Sequence, residues 1–173
     1  MIPHNRPTIG VEEEKAAIRV LESGILSNGT EVSSFEKEFA NYVGSKYAIM
    51  VNSGSSANLL ALNSFNFKKG SEVITTSLTF STTVAPIYQL GLIPHFVGVL
   101  ENKFIADASQ IEKCINKKTV ALMIPNLLGN IPDWKEINRI AKKYKLKVIE
   151  DSACLLYTSD AADEGLGVDL GGR

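Results

Sequence analysis

The chain begins with two stretches in which apolar residues recur at helical spacing. Amphipathic helices are therefore predicted over residues 11–24 and 33–44. In the first helix, glutamates fill the first turn, where they suit the helix dipole, and Gly24 ends it. In the second, Ser33 or Ser34 is a suitable N-terminal cap.

Short apolar runs and helical stretches alternate through the rest of the chain. The predicted buried strands are residues 47–51, 72–76, 93–99, 119–125 and 146–151. The predicted helices are residues 55–65, 81–90 (interrupted early by Pro86), 107–115 and 132–145. Continuous apolar strands separated by helices indicate βαβ units, so the pattern predicts an α/β fold with a mainly parallel sheet.

Composition and charge narrow the class of protein. The chain has 173 residues, of which 45% are hydrophobic and 21% charged, as in a soluble globular domain. The net charge of −1 favours neither nucleic acid nor a membrane surface as a partner. No apolar run is long enough to span a bilayer, and the N-terminus does not resemble a signal peptide. Cys114 and Cys154 are expected to be free thiols of a cytoplasmic protein, outside any metal-ligand cluster.

Ligands of parallel sheets bind at the carboxyl ends of the strands, and the first such end carries NSGSSAN, residues 52–58. Gly54 allows close approach of the backbone, while Ser55 and Ser56 offer hydroxyls and free amides at a helix N-terminus. These are the features of a phosphate-binding site. A plain Ser/Gly capping turn explains the same residues equally well.

Three further strand ends carry candidate residues. Phe80 follows 72–76 in a hydroxyl-rich loop, where on its own it is better explained as a core residue than as a stacking platform. Asn126 follows 119–125. Asp151 ends the last strand, where it could hold a protonated ring nitrogen or a metal, or cap a following helix. With the phosphate-type loop, these residues suit a flat, phosphorylated, protonated heterocycle, and pyridoxal phosphate (PLP) fits that description.

Five segments, in this order, resemble the DegT/DnrJ/EryC1/StrS sugar aminotransferase family of PLP-dependent fold type I. The resemblance covers residues 2–153 and rests on IPHNRPTIGVEEE, SGILSNGTEVSSFEKEFANYVGSKYAIMVNSGSSANLLAL, GSEVITTSLTFSTTVAPIYQLGLIPHFVGV, NLLGNIPDW and KVIEDSA. It implies a three-layer αβα architecture that forms a truncated large domain of that fold.

The resemblance also implies roles for single residues. Gly54, Ser55 and Ser56 match the family's phosphate loop. Phe80 matches the aromatic residue that stacks on the pyridine ring, and Asp151 the aspartate that pairs with the ring nitrogen and keeps it protonated. Asn126 stands where most members have His, and its amide could donate to a ring oxygen or to substrate.

The family resemblance implies an enzyme that aminates a nucleotide-linked keto sugar with PLP and an amino donor, as a cytoplasmic homodimer. The stretches NSGSSANLLAL and NLLGN look more like the branch of 3-dehydratases that act on CDP-4-keto-6-deoxy sugars. In that branch His replaces the Schiff-base Lys and the cofactor is pyridoxamine phosphate (PMP). The deciding residue is expected beyond Asp151 and beyond this chain, so the chain itself is expected to be inactive. A catalytically silent truncated domain is the third alternative.

The last stretch, CLLYTSDAADEGLGVDLGGR, loses all periodicity. Back-translated with permitted codons, it resembles the adapter of transposase-based sequencing libraries. Residues 1–153 are therefore predicted to be the N-terminal part of the large domain, and residues 154–173 a non-native read-through tail. Its Gly-x-Gly follows no predicted strand and is assigned no dinucleotide site.

Overall fold

The computed structural model describes residues 9–155, and the chain divides into two compact units, residues 1–50 and 51–173. The predicted non-native tail lies outside the described residues, apart from Cys154 and Leu155. In the described part of the chain, no helix is both long and apolar enough to cross a membrane.

The described residues of the first unit form two helices, α1 (Val11–Ser23) and α2 (Thr30–Tyr42). As predicted, α1 has an acidic first turn and ends at Gly24, whose φ of 67° is left-handed. The prediction that Ser33 or Ser34 caps α2 is wrong, because the helix starts after Gly29 and includes both serines. At the N-cap, glycine is only a few tenths of a kcal/mol less stabilising than serine, so Gly29 can serve as the N-cap of α2.

The prediction of a buried strand over residues 47–51 is also wrong. Residues 47–51 belong to none of the described strands, and the side chain of Ile49 is 82% exposed. The Met50 backbone N–H instead donates to Glu36 Oε1 at 2.7 Å. An apolar run becomes a strand only when a neighbouring strand pairs with its backbone, and within the described residues all strand pairing lies in the second unit.

In the second unit, the described residues form a four-stranded sheet with the spatial order β2-β1-β3-β4, and all three strand pairs are parallel. Its elements are α3 (Gly54–Asn63), β1 (Glu72–Thr76), α4 (Ser81–Gln89), β2 (Ile93–Val97), α5 (Ala108–Cys114), β3 (Thr119–Pro125), a 3-10 turn (Leu127–Gly129), α6 (Trp134–Tyr144) and β4 (Lys147–Asp151). The predicted parallel α/β sheet is confirmed.

Helices cover both faces of this sheet, because neighbouring residues on a strand point to opposite faces. One apolar cluster joins α3 and α4 to the sheet through Leu62, Val73, Ile87, Leu92, Ala121, Met123 and Ile149. The other joins α5 and α6 to the opposite face, through Ile74, Val97, Ala106, Ile111, Leu122, Ile124, Trp134, Ile137, Ile140 and Ala141. The three-layer αβα architecture is therefore confirmed.

Helix α4 is not interrupted by Pro86, contrary to the expectation from its sequence. The helix continues to Gln89 with Pro86 buried inside it. Proline has no N–H, so it cannot bond the carbonyl four residues earlier, that of Thr82. This carbonyl accepts a side-chain hydrogen bond from Asn58 at 3.2 Å instead, which compensates for the missing backbone bond.

Candidate functional site

The ends of β3 and β4 bring Asp151 and Asn126 together. Pro125 and Asp151 are register partners in the parallel ladder. Immediately beyond the ladder, the Asn126 backbone N–H donates to the Asp151 carbonyl oxygen at 3.0 Å. The two predicted site residues therefore share the carboxyl edge of the sheet.

The Asp151 carboxylate is held by both helices of one face. Its Oδ2 accepts a hydrogen bond from Asn58 Nδ2 of α3 at 2.8 Å and another from Thr83 Oγ1 of α4 at 2.7 Å. Its Oδ1 has a longer contact with the Ala153 backbone N–H, at 3.4 Å. Asp151 is thus the point at which α3, α4 and β4 meet.

The N-terminus of α3 lies about one helical turn before Asn58, the residue of this helix that binds the Asp151 carboxylate. Gly54 and Asn58 are four residues apart, so they lie on the same side of the helix and differ by roughly 6 Å in rise. Amides in the first turn of a helix have no intrahelical acceptor, and the helix dipole adds partial positive charge there. A Cβ added at Gly54 would meet no atom within 4 Å, so the space in front of this residue is open.

Ser53 caps this helix, which the sequence analysis did not single out. Its Oγ accepts from the Ser56 backbone N–H at 3.2 Å and donates to Ser56 Oγ at 3.1 Å. The capping turn proposed as an alternative is therefore present. It leaves the amides of Gly54 and Ser55 pointing out of the first turn, so the cap and an anion site are compatible in the same segment.

Phe80 lies immediately before α4 and its side chain is 68% exposed, so the interpretation of this ring as a core residue is wrong. The residues on either side of Phe80, Thr79 and Ser81, are both polar, so the local sequence provides no apolar surface next to the ring. The Phe80 carbonyl oxygen accepts from the Thr83 backbone N–H at 3.0 Å. Because the Thr83 side chain bonds Asp151, the exposed ring and the carboxylate are linked through one residue.

The side chain of Asn126 belongs to a separate network on the opposite face of the sheet. It is 1% exposed, and its Nδ2 donates to Glu150 Oε1 and to Ser152 Oγ. Its Oδ1 accepts from Trp134 Nε1 at 3.0 Å. The structure therefore brings the backbone of Asn126 next to Asp151 but engages its side chain with α6 and β4.

Three residues that connect to Asp151 are not predicted from the sequence: Asn58, Thr79 and Thr83. Thr79 Oγ1 donates to Thr83 Oγ1 at 2.9 Å, so a chain of hydrogen bonds leads from the loop after β1 to Asp151. A usable signal was present at one position. Asn58 interrupts the apolar run of α3, and a polar residue buried in such a helix needs a hydrogen-bond partner.

Glu72 is a carboxylate whose pKa is lowered. Glu72 begins β1, at the opposite end of the sheet from Asp151. The hydrogen bond from Asn116 lowers the pKa of the Glu72 carboxyl, and His95 acts in the same direction. Within residues 9–155, no group of three or more His, Cys, Asp or Glu side chains is arranged to hold a metal ion.

A family model described as the DegT/DnrJ/EryC1/StrS aminotransferase family matches residues 7–165. A spore coat polysaccharide biosynthesis protein, SpsC of Bacillus subtilis, is 39% identical over 91% of this chain and 41% of its own length. A dTDP-3-amino-3,6-dideoxy-alpha-D-galactopyranose transaminase of Aneurinibacillus thermoaerophilus is 42% identical over 82% of this chain and 39% of its own length.

One solved structure is similar to this chain in both fold and sequence. It is the E. coli GDP-4-keto-6-deoxy-D-mannose-3-dehydratase with bound hydrated PLP, which superposes with a TM-score of 0.82 at 36% identity. It is matched over 87% of this chain and 40% of its own. This chain therefore spans about two fifths of the length of the relatives that it matches.

Proposed function

This chain belongs to the DegT/DnrJ/EryC1/StrS aminotransferase family, and on that premise we propose that it is part of a PLP-dependent enzyme that aminates a nucleotide-linked keto sugar. A transaminase of a nucleotide-linked amino sugar is among its relatives. The observation that carries the proposal is the convergence of α3, α4 and β4 on the Asp151 carboxylate. The activity of the whole protein is part of the proposal, since the chain spans two fifths of those relatives.

The residues at this edge of the sheet fit PLP. The open N-terminus of α3, with Gly54, Ser55 and Ser56, would hold the phosphate through amides and hydroxyls. The exposed ring of Phe80 would stack on the pyridine ring, and the carboxylate of Asp151 would pair with the ring N–H. When bound, PLP supplies a protonated ring that accepts electron density from the substrate carbon.

Each residue in this proposal performs a defined task. Asp151 would supply negative charge at the ring nitrogen, which favours the proton on that atom. Phe80 would cover one face of the ring and exclude water from it. Asn126 contributes at the same edge, and for its amide to contact a ring oxygen or substrate it would have to exchange one of its present partners, Glu150 or Ser152.

A second candidate function is a PMP-dependent 3-dehydratase of a nucleotide 4-keto-6-deoxy sugar. Its support is the 36% identity to the E. coli 3-dehydratase, together with the NSGSSANLLAL and NLLGN segments. The residue that separates the two reactions, Lys or His, is expected after Asp151. We propose that the 173-residue chain lacks that residue, and that it holds cofactor but does not turn substrate over, so that it behaves as a catalytically silent domain.

Further parts of the proposal concern the whole protein and the tail. A homodimer, an amino donor and a cytoplasmic location follow from the family resemblance alone. The non-native origin of residues 154–173 also stays a prediction, and the family model matches as far as residue 165. Sequencing the gene across codon 153 tests it, because a continuing family-like reading frame supports the prediction and the same tail in genomic DNA contradicts it.

Cofactor binding by the chain tests the proposed site. We expect PLP to bind the purified 173-residue chain, with a change in the absorbance and circular dichroism of its ring. Asp151→Asn, which keeps the shape of the side chain but removes its charge, is expected to weaken PLP binding at least about 10-fold, the effect of losing one charged contact of about 1.4 kcal/mol.

Asp133→Asn is the matched control. Asp133 is an exposed carboxylate that caps α6 through the Glu136 backbone N–H at 3.0 Å. This substitution should leave PLP affinity unchanged. Equal affinity of the wild type and Asp151→Asn, with both folded, would contradict the proposed role of Asp151.

A further inference from the structure

We propose that Asn58 and Thr83 are positioning residues that hold the Asp151 carboxylate by Oδ2, so that Oδ1 remains for the ring nitrogen of the cofactor. The inference rests on the proposed function and deepens it. Asn58 and Thr83 do not contact the ring nitrogen themselves. They set the orientation of the Asp151 carboxylate that pairs with it.

The two oxygens of Asp151 differ in their partners. Oδ2 accepts two short hydrogen bonds, at 2.8 Å from Asn58 and 2.7 Å from Thr83. A carboxylate oxygen has two lone pairs, so these bonds use the acceptor capacity of Oδ2. Among the described residues, Oδ1 has only the 3.4 Å contact with the Ala153 backbone N–H, which is long for a hydrogen bond. Oδ1 is therefore the oxygen with capacity for a further donor.

The Asn58 amide is fixed because both of its N–H bonds are used. One goes to Asp151 Oδ2 and the other to the carbonyl oxygen of Thr82, at 3.2 Å. That carbonyl is available because Pro86, four residues later, has no N–H to donate to it. Asn58 is buried, so water does not compete for its amide.

The Thr83 hydroxyl is fixed in direction as well. It is completely buried, and it accepts a hydrogen bond from Thr79 Oγ1 at 2.9 Å. Its single proton is therefore committed to Asp151. The Thr83 backbone N–H binds the carbonyl oxygen of Phe80. One residue thus ties the proposed stacking ring to the proposed partner of the ring nitrogen, and fixes their relative positions.

Removing one of these donors should let the carboxylate rotate away from the ring. Thr83→Val keeps the branched shape and deletes the hydroxyl, whereas Thr83→Ser keeps the hydroxyl. We expect Thr83→Val to bind PLP about 10-fold more weakly than the wild type, the effect expected for one lost charge-assisted hydrogen bond. We expect Thr83→Ser to retain most of the affinity.

The decisive measurement is the protonation state of bound PLP. PLP labelled with ¹⁵N at the ring nitrogen is added to the 173-residue chain, and its ¹⁵N chemical shift is recorded at neutral pH. In the wild type and Thr83→Ser the shift should be that of a pyridinium. In Thr83→Val it should move toward that of the neutral ring, which a loss of packing alone does not produce.

Thr119→Val is the matched control. Thr119 is also a buried threonine whose hydroxyl makes a hydrogen bond, accepting from the Asn116 backbone N–H at 3.0 Å, but it begins β3 at the other end of the sheet. The Thr119→Val variant should lose about as much stability as Thr83→Val, while the ¹⁵N shift of its bound PLP should stay that of the wild type.

The outcomes separate this inference from the proposed function. If Asp151→Asn changes the ¹⁵N shift and Thr83→Val does not, the positioning role is wrong and the proposed function stands. If the wild type binds no PLP, or Asp151→Asn leaves the shift unchanged, the proposed function fails and the inference falls with it. Changes in Asp151→Asn and Thr83→Val, with rescue by Thr83→Ser, support both.

Discussion

The carboxylate of Asp107 is expected to contribute about 2 kcal/mol to the stability of the second unit. Asp107 precedes α5, and its Oδ1 accepts from the backbone N–H and the hydroxyl of Ser109, at 3.0 and 2.7 Å. Its Oδ2 accepts from Gln110 Nε2 at 2.7 Å, and Gln110 Oε1 in turn accepts from the Gly98 backbone N–H at 3.0 Å. Asp107 therefore both caps α5 and fixes the glutamine that binds the segment after β2.

The magnitude follows from these contacts. Replacing an aspartate cap by alanine costs about 1 kcal/mol. Releasing Gln110, so that its bond to Gly98 is no longer held in place, costs about 1 kcal/mol more. Asp107→Ala should therefore lower the free energy of unfolding at neutral pH by about 2 kcal/mol. The midpoint of the urea-unfolding curve should move to lower urea while the slope stays unchanged.

The same contribution should disappear in acid. The hydrogen bond from the Ser109 hydroxyl is the largest cause that lowers the pKa of the Asp107 carboxyl, and the Gln110 amide acts in the same direction. A carboxyl whose pKa is lower in the folded than in the unfolded chain stabilises the fold above the unfolded pKa, about 3.9. The stabilisation is lost as the pH falls through the folded pKa. The difference between wild type and Asp107→Ala should thus be constant near neutrality and shrink below about pH 4.

Urea unfolding followed by circular dichroism, at neutral pH and in acid, measures this difference. Asp133→Ala is the control, because among the described residues the Asp133 carboxylate accepts a single hydrogen bond, from the Glu136 backbone N–H at the start of α6. It should cost only about 1 kcal/mol at neutral pH. Equal losses for the two variants at neutral pH, or a gap for Asp107→Ala that does not narrow in acid, would refute the reasoning.

Two more substitutions test buried polar groups of the same unit. Within the described residues, Thr75 Oγ1 is the one buried side-chain oxygen or nitrogen that has no hydrogen-bond partner. Thr75→Val should therefore raise the free energy of unfolding by about 1 kcal/mol. A loss of stability in urea unfolding would mean that the hydroxyl has a partner. Trp134→Phe deletes the donor to Asn126 Oδ1, an acceptor on a side chain that is 1% exposed. It should cost about 1–3 kcal/mol in the same assay, and a neutral result would show that the buried oxygen is satisfied in another way.

Much of the fold could be predicted from the chain because its signals are local. The bounds of β1 and β3 match the predicted ranges to the residue, since β1 consists mostly of β-branched residues and β3 is an almost continuous apolar run. The failures are of another kind. Residues 47–51 have the same apolar character as these strands, but pairing depends on a neighbour that the run itself does not encode. The exposure of Phe80 and the start of α2 at Thr30 likewise depend on context outside the local pattern.

The candidate site divides in the same way. Asp151 and the α3 N-terminus were identified because each ends or begins an element whose pattern is visible. The residues that hold the carboxylate were not, because Asn58 is 93 positions from Asp151 and Thr83 is 68. A hydrogen bond across that distance leaves no periodic trace in either segment.

Pro86 shows why local rules mislead at such a site. Within α4 alone, a proline removes a backbone hydrogen bond and predicts a break in the helix. The helix persists because the orphaned carbonyl of Thr82 has a partner from outside the helix, the Asn58 amide. The same amide then reaches Asp151 with its second N–H. The missing N–H of Pro86 thus costs α4 one backbone hydrogen bond. The same missing N–H leaves the Thr82 carbonyl oxygen as an acceptor for Asn58, and this bond orients the Asn58 side chain next to the Asp151 carboxylate.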